Sequence, residues 1–130
     1  MVGIEGEGDH SYKTNAKLSA NTVAYLDTSG HVQVQTNAGT FLSLGILQNA
    51  ADGTVLPAGH DADCTVKEYG HSACWVDNSN IMPGSPLKMS ATAGVLALGT
   101  INSDVIVAQA MQTNNSTACI IEVALTGRQK

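Results

Sequence analysis

Evenly spaced turn signals constrain the fold of this chain more than any other feature of its sequence. Pro83 and Gly84 form the clearest signal, because proline presets φ for the first central position of a turn and glycine accepts a positive φ at the second. Asp52-Gly53 and Gly94 mark similar corners. About one such turn occurs every 8–12 residues, with short apolar runs between them, as is typical of a β-sandwich or barrel.

The composition also favours strands over helices. Charged residues make up 13% of the 130 residues, against about 25% in an average soluble domain, and the chain contains 13 glycines. Lys, Arg and Glu usually fill exposed helix faces, so their scarcity disfavours helices. The sequence predicts one mainly β domain, a small antiparallel β-barrel or sandwich over residues 17–130.

Alternating apolar and polar residues predict individual strands. Residues 22–27 and 31–36 are predicted to form a hairpin around Gly30, and residues 63–69 and 72–77 a second hairpin. The two-residue period of a strand places the side chains of four residues of the second hairpin in the core: Cys64, Val66, Cys74 and Val76. The run 105–111 is predicted as a strand because it begins with β-branched residues.

Residues 1–16 are predicted to form a flexible N-terminal arm. This segment has three glycines by Gly8 and three acids by Asp9, so it buries too little apolar surface to fold by itself. It is predicted either to be disordered or to become ordered against a neighbouring molecule. Its sizeable apolar residues are Ile4 and Tyr12.

Charge and hydropathy argue against nucleic acid and membrane as partners. The net charge is −5 and the six basic residues form no patch, which disfavours nucleic acid as a partner. No run approaches the roughly 20 apolar residues of a membrane span, and the acidic N-terminus does not resemble a signal peptide. We therefore expect synthesis in the cytoplasm and three free cysteines rather than disulfides.

The sequence predicts no catalytic, cofactor or metal-binding residues. Zinc is the strongest metal hypothesis, because four ligand types lie within fifteen residues: His60, Cys64, His71 and Cys74. Their spacing lacks a tight Cys-x-x-Cys pair, and cysteines beside valine and tryptophan behave as small hydrophobic residues. Asp61 and Asp63 supply too few oxygens for calcium. We therefore predict that the protein is not an enzyme.

Trp75 is the candidate interface residue. It is the single tryptophan of the chain and alternates with Cys74 and Val76 on its strand, a position that leaves its burial open. An exposed tryptophan is suited to stacking on a sugar, whereas a covered one anchors a core or a subunit interface. We interpret it as an oligomer interface residue.

From Leu44 onward, the order of turns and apolar positions resembles that of the capsid decoration, or cement, proteins of tailed bacteriophages. The segments that carry the resemblance are Gly45-Ile-Leu-Gln-Asn49, Tyr69-Gly70, Asp77 followed by Ile81-x-Pro-Gly-x-Pro-Leu87, Gly94-Val95 and Val105-Ile-Val-Ala-Gln-Ala110. The resemblance extends over about two-thirds of the chain, and its segments include no catalytic motif.

The resemblance implies a β-barrel or β-tulip-like domain and a structural role in the virion. Such a protein binds the outside of an expanded icosahedral capsid, commonly as a homotrimer, and stabilises it by clamping neighbouring subunits of the major capsid protein. The resemblance implies that the N-terminal arm would become ordered against the capsid or a neighbouring subunit, with Ile4, His10 and Tyr12 as its anchors. A carbohydrate-binding or adhesive virion module is the alternative, although its exposed aromatic cluster is hard to build from one Trp, three Tyr and one Phe. A metal-dependent β-barrel enzyme would need several His and a carboxylate on adjacent strands, whereas the four histidines fall mostly in predicted loops or strand ends.

Overall fold

The regular secondary structure of the described part of the chain consists almost entirely of β-strands, as predicted. The computed structural model describes residues 8–36, 42–77, 80–114 and 117–129, the last four of these as backbone only. A short 3-10 turn spans Gly53–Val55. The strands are β1 (Asp9–Thr14), β2 (Lys17–Leu18), β3 (Val23–Leu26), β4 (Val32–Val34), β5 (Ser43–Leu47), β6 (Ala51–Asp52), β7 (Ala62–Lys67), β8 (Gly70–Val76), β9 (Pro86–Met89), β10 (Leu96–Leu98), β11 (Ile106–Ala110) and β12 (Cys119–Gln129).

Five strands form a curled antiparallel sheet in the order β1-β7-β5-β3-β4. Strands β3 and β4 pair as the predicted hairpin. The two edge strands approach each other, since Lys13 and His31 form an isolated bridge. Next to that bridge, the buried hydroxyl of Thr14 donates to the carbonyl oxygen of Val32 at 2.8 Å. Hydrogen bonding of this buried group therefore helps to bring the two edges of the sheet together.

A second group of strands closes into a small barrel in the order β10-β8-β12-β11-β9. Its longest contact is the antiparallel pairing of β12 with β8 over seven positions. The predicted Pro83-Gly84 corner leads into β9, and Gly84 has the positive φ of 90° that this turn requires. The expectation of a small β-barrel is confirmed, and the five-stranded sheet lies beside it.

The core consists of two apolar clusters. Ile81, Leu87 and Leu96 are fully buried in the barrel cluster, which also includes Val23 and Ile46 from the sheet. The sheet cluster contains Leu18, Val32, Leu47, Cys64 and Val66. Two residues of the sheet thus extend into the barrel cluster and connect the two parts of the fold.

The prediction that residues 63–69 and 72–77 form a hairpin is wrong. Strand β7 pairs with β1 and β5 of the sheet, whereas β8 pairs with β12 and β10 of the barrel. Cys64, Val66, Cys74 and Val76 are all buried as predicted, but the first two lie in the sheet cluster and the last two in the barrel cluster. The turn at Gly70 carries the chain from one part of the fold to the other.

Part of the segment predicted as an arm belongs to the sheet. Residues 9–14 form β1, which pairs with β7 at six consecutive positions. This strand therefore pairs with another strand of its own chain rather than with a neighbouring molecule. No helix among the described residues is long and apolar enough to span a membrane.

Candidate interaction surface

The outer face of β8 and β12 carries exposed apolar side chains. Strand alternation turns Cys74 and Val76 inward and Trp75 outward, where the Trp75 side chain remains 37% exposed. Ile120 lies directly opposite Trp75 on β12 and is 42% exposed. Opposed residues of an antiparallel pair point to the same side of the sheet, so these two form an apolar cross-strand pair on the outside of the barrel.

Glu122 is the acidic residue on this face, and it is paired. It lies opposite Ala73, and one of its carboxylate oxygens is 2.9 Å from Nδ1 of His71. Its backbone N–H donates to Oε1 of Gln112 at 2.6 Å. Met111, which is 40% exposed, donates its backbone N–H to the Glu122 carbonyl oxygen at 2.9 Å and so extends the ladder beyond β11.

We refer to these side chains together as the Trp75 face: His71, Ala73, Trp75, Met111, Ile120 and Glu122. A shallow open groove lies over the paired strands β8 and β12, and its lining includes Ala73, Ile120 and Gln112. The face combines apolar area with a paired acid and offers no nucleophile with an activating base. Its exposed apolar side chains are suited to burial against another molecule.

The predicted arm residues occupy different positions. Ile4 lies outside the described residues. His10 and Tyr12 are both on β1, and Tyr12 packs against the sheet cluster. The phenol O–H of Tyr12 donates to Oε2 of Glu68, and Nδ1 of His10 is 2.9 Å from the same oxygen. Both side chains therefore contact Glu68 of the same molecule.

Tyr12 provides a test of this arrangement. Burial, followed by the hydrogen bond and the negative charge of Glu68, raises its pKa from 10.0 to about 12. The folded state therefore holds the phenol proton more tightly than the unfolded state does. The resulting stabilisation is fully present below pH 10 and is lost as the pH rises towards 12.

We expect a tyrosinate absorbance component near pH 12 in alkaline pH-jump measurements on the folded protein, and Tyr12→Phe should remove it. Glu68→Gln should lower the pKa of this component only in part, because burial is the larger cause. Retention of the component in Tyr12→Phe would assign it to another tyrosine and contradict the arrangement.

Ion pairs cover the opposite side of β1 and β7. Lys67 Nζ lies 3.2 Å from Asp9 Oδ1, and Lys13 pairs with Asp63. The hydrogen bond and charge of Asp63 raise the pKa of Lys13. Asp61, which was considered together with Asp63 as a possible calcium ligand, has a carboxylate oxygen 2.9 Å from Nε2 of His31. Asp61 therefore contacts an imidazole, and Asp63 contacts a lysine.

The four residues of the zinc hypothesis are divided between the two halves of the fold. Cys64 lies in the sheet cluster and Cys74 in the barrel cluster, while His71 pairs with Glu122 on the outer face. Burial raises the pKa of the Cys74 thiol to about 12, which disfavours the thiolate that a metal requires. Across the described ranges, no three His, Cys, Asp or Glu side chains are grouped to hold a metal.

The sequence singled out Trp75 as a candidate interface residue but did not indicate its neighbours on the face. Ile120 belongs to an apolar run, Cys119-Ile120-Ile121, in which a single sequence does not show which isoleucine points outward. The exposed Met111 was read as part of the apolar strand 105–111. The pairing of β12 with β8 brings these residues together, and that pairing is not visible in the residue pattern.

Comparison with known proteins shows a similarity in fold but none in sequence. No protein-family model matches the chain, and no curated protein matches its sequence. Among solved structures, the chain is similar to the N-terminal base of the head fiber protein gp8.5 of bacteriophage phi29. The match has a TM-score of 0.58 at 9% sequence identity and covers 94% of this chain and 97% of that one. The two chains therefore share a fold over nearly their full lengths.

Proposed function

We propose that this protein is a non-enzymatic structural component of a phage virion, located on the outer surface of the capsid. The observation that carries the proposal is the fold shared with the base of a phage head fiber over 94% of the chain. The apolar, charge-poor Trp75 face supports it, because such a face suits assembly rather than catalysis. The decoration-protein pattern of turns and apolar positions points in the same direction.

In the proposed assembly, the protein is a homotrimer that clamps neighbouring subunits of the major capsid protein, with Trp75 at the contact between chains. Three identical contacts on one trimer act at high effective concentration, so a modest affinity at each contact gives durable binding. This arrangement stabilises an expanded shell without any tight individual site.

We place the capsid contact of the N-terminal segment in the residues that precede Gly8, with Ile4 as its apolar anchor. His10 and Tyr12 hold β1 against Glu68, so these contacts fix the strand that follows this segment. Segments that become ordered on binding can cover a large surface with few residues. His10 is exposed enough to contact the capsid as well.

Co-sedimentation with expanded heads that lack this protein tests the proposal. We expect the full chain to pellet with the heads at saturating, symmetric occupancy and to raise the temperature at which they release DNA. Unexpanded proheads are the matched control, since decoration requires the expanded lattice. Full-length folded protein that stays in the supernatant at concentrations far above that of the capsid subunits would contradict the proposed function.

A further inference from the structure

We infer that the two halves of this chain are two copies of one five-stranded unit. The first repeat spans residues 8–69 and contains β1, β3, β4, β5 and β7, and the second repeat spans residues 70–129 and contains β8 to β12. The two sequences differ at most equivalent positions, so the repeat is visible in strand order, register and hydrogen bonds rather than in residue identity. It does not depend on the role of the protein in a virion.

Both repeats follow the same path through their strands. The neighbours lie in the order β1-β7-β5-β3-β4 in the first repeat and β8-β12-β11-β9-β10 in the closed ring of the second. The four pairs along each order are antiparallel. In each repeat the last strand of the order then meets the first in parallel, at Lys13 with His31 and at Val76 with Leu96. The two repeats therefore share one topology.

The register of the backbone hydrogen bonds also agrees. Asn21 donates its N–H to the carbonyl oxygen of Leu47 at 2.7 Å. Gly84 lies 63 positions after Asn21 and donates its N–H at the same distance to Ala110, which lies 63 positions after Leu47. Asn21 and Gly84 both have a positive φ, of 64° and 90°. A left-handed residue thus makes the same bond at the same point of both repeats.

A bond from a side chain to the backbone recurs as well. Oδ1 of Asn49, just after β5, accepts the backbone N–H of Thr65 on β7 at 2.9 Å. Oε1 of Gln112, just after β11, accepts the backbone N–H of Glu122 on β12 at 2.6 Å. These bonds lie outside the strand ladders, so a shared strand order alone does not require them. Their recurrence supports two copies of one unit.

Smaller features of the first repeat have counterparts in the second. The short β2–β6 pair joins Leu18 to Ala51, and an isolated antiparallel bridge joins Ile81 to Asn114 at the equivalent place. Leu18 and Ile81 are both buried. Glycines with positive φ also occur in pairs, at the start of the first strand and in the turn between the second and third strands: Gly8 and Gly70, Gly30 and Gly94.

The repeats differ in surface rather than in framework. Lys13 lies opposite Asp63 on β1 and β7 and forms an ion pair with it, whereas the equivalent cross-strand pair of the second repeat is Trp75 with Ile120. Eight of the 11 acids and three of the six bases precede Gly70. The net charge of −5 therefore belongs to the first repeat and the residues before it, and the second repeat is neutral.

The connection to the last strand is longer in the first repeat. Residues 52–61 separate Ala51 from Ala62, whereas residues 115–118 separate the equivalent Asn114 from Cys119. The first repeat thus contains six additional residues at this point. Because the second repeat makes the same connection with four residues, we expect that the unit folds without the additional six.

Transplanting the short connection tests the repeat. In the full chain, residues 52–61 are replaced by Asn-Ser-Thr-Ala, the sequence of residues 115–118. We expect an unchanged circular dichroism spectrum and a melting temperature within about 5 °C of that of the original chain. The matched control replaces the same ten residues by Asn-Ser alone, a connection shorter than that of either repeat, and should melt at least about 10 °C lower. A four-residue variant that does not fold, or that melts no higher than the control, would overturn the inference.

A second exchange keeps the connection intact. Trp75→Lys combined with Ile120→Asp gives the second repeat the surface pair of the first, and this variant should fold and melt cooperatively. Cys74→Lys combined with Ile121→Asp makes the same kind of change at the next pair of the same two strands, where both side chains are buried, and should prevent folding. Loss of folding in both variants would contradict equivalence of the two outer faces. Neither exchange involves heads, so co-sedimentation still judges the proposed function separately.

Discussion

Gly45→Ala should leave the protein largely unfolded at room temperature. A Cβ at this position would lie 2.1 Å from the carbonyl oxygen of Lys67 and 2.8 Å from its carbonyl carbon. Gly45 sits on β5 next to an irregularity in its pairing with β3, where β5 and β7 approach closely. Making room for one methyl group means moving the backbone of β7, which also supports β1.

We expect a loss of about 4 kcal/mol or more in the free energy of unfolding, a large part of the total stability of a domain of this size. Chemical denaturation followed by circular dichroism measures it. Gly99→Ala is the matched control, because its added methyl would lie 2.9 Å from Cδ1 of Ile106, the end of a flexible side chain. It should cost about 1 kcal/mol or less. Equal losses in the two variants would show that the backbone approach at Gly45 is not the cause.

Local patterns predicted most of the strands but not their partners. Turn chemistry and alternation located the β3–β4 hairpin and the Pro83-Gly84 corner, because these depend on residues adjacent in sequence. Alternation correctly predicted that Cys64 and Cys74 are buried. The prediction that their two strands pair with each other was nevertheless wrong. Alternation determines which side of a strand faces a core, and it carries no information about which of two cores that is.

The candidate site shows the same limit. The two-residue period left the burial of Trp75 open, and the structure places its side chain on the outer side of β8. Ile120 lies 45 positions later in the sequence and joins it only through the β8–β12 register. The first strand was missed for a related reason: Asp9–Thr14 is too polar to read as a strand, because its outward side is a row of ion pairs with β7.

Two N-terminal deletions should behave differently. Removing residues 1–7 leaves β1 and its pairing with β7 in place, so the domain should still fold and melt cooperatively. Removing residues 1–14 eliminates β1, the Thr14 bond to Val32 and the Tyr12 bond to Glu68, and it uncovers the edge of β7 beside Cys64. The longer deletion should lose most of its stability and aggregate through that open edge.

The shorter deletion then separates folding from capsid binding. If Ile4 anchors the protein to the shell, the chain without residues 1–7 should keep its oligomeric mass and Trp75 emission yet pellet with expanded heads far less than the full chain. Ile4→Ser in the full chain should show the same loss with no change in length. Normal head occupancy by both variants would reject the arm contact and leave the barrel surface as the attachment site. A longer deletion that melts like the full chain would show instead that β1 contributes little to the sheet.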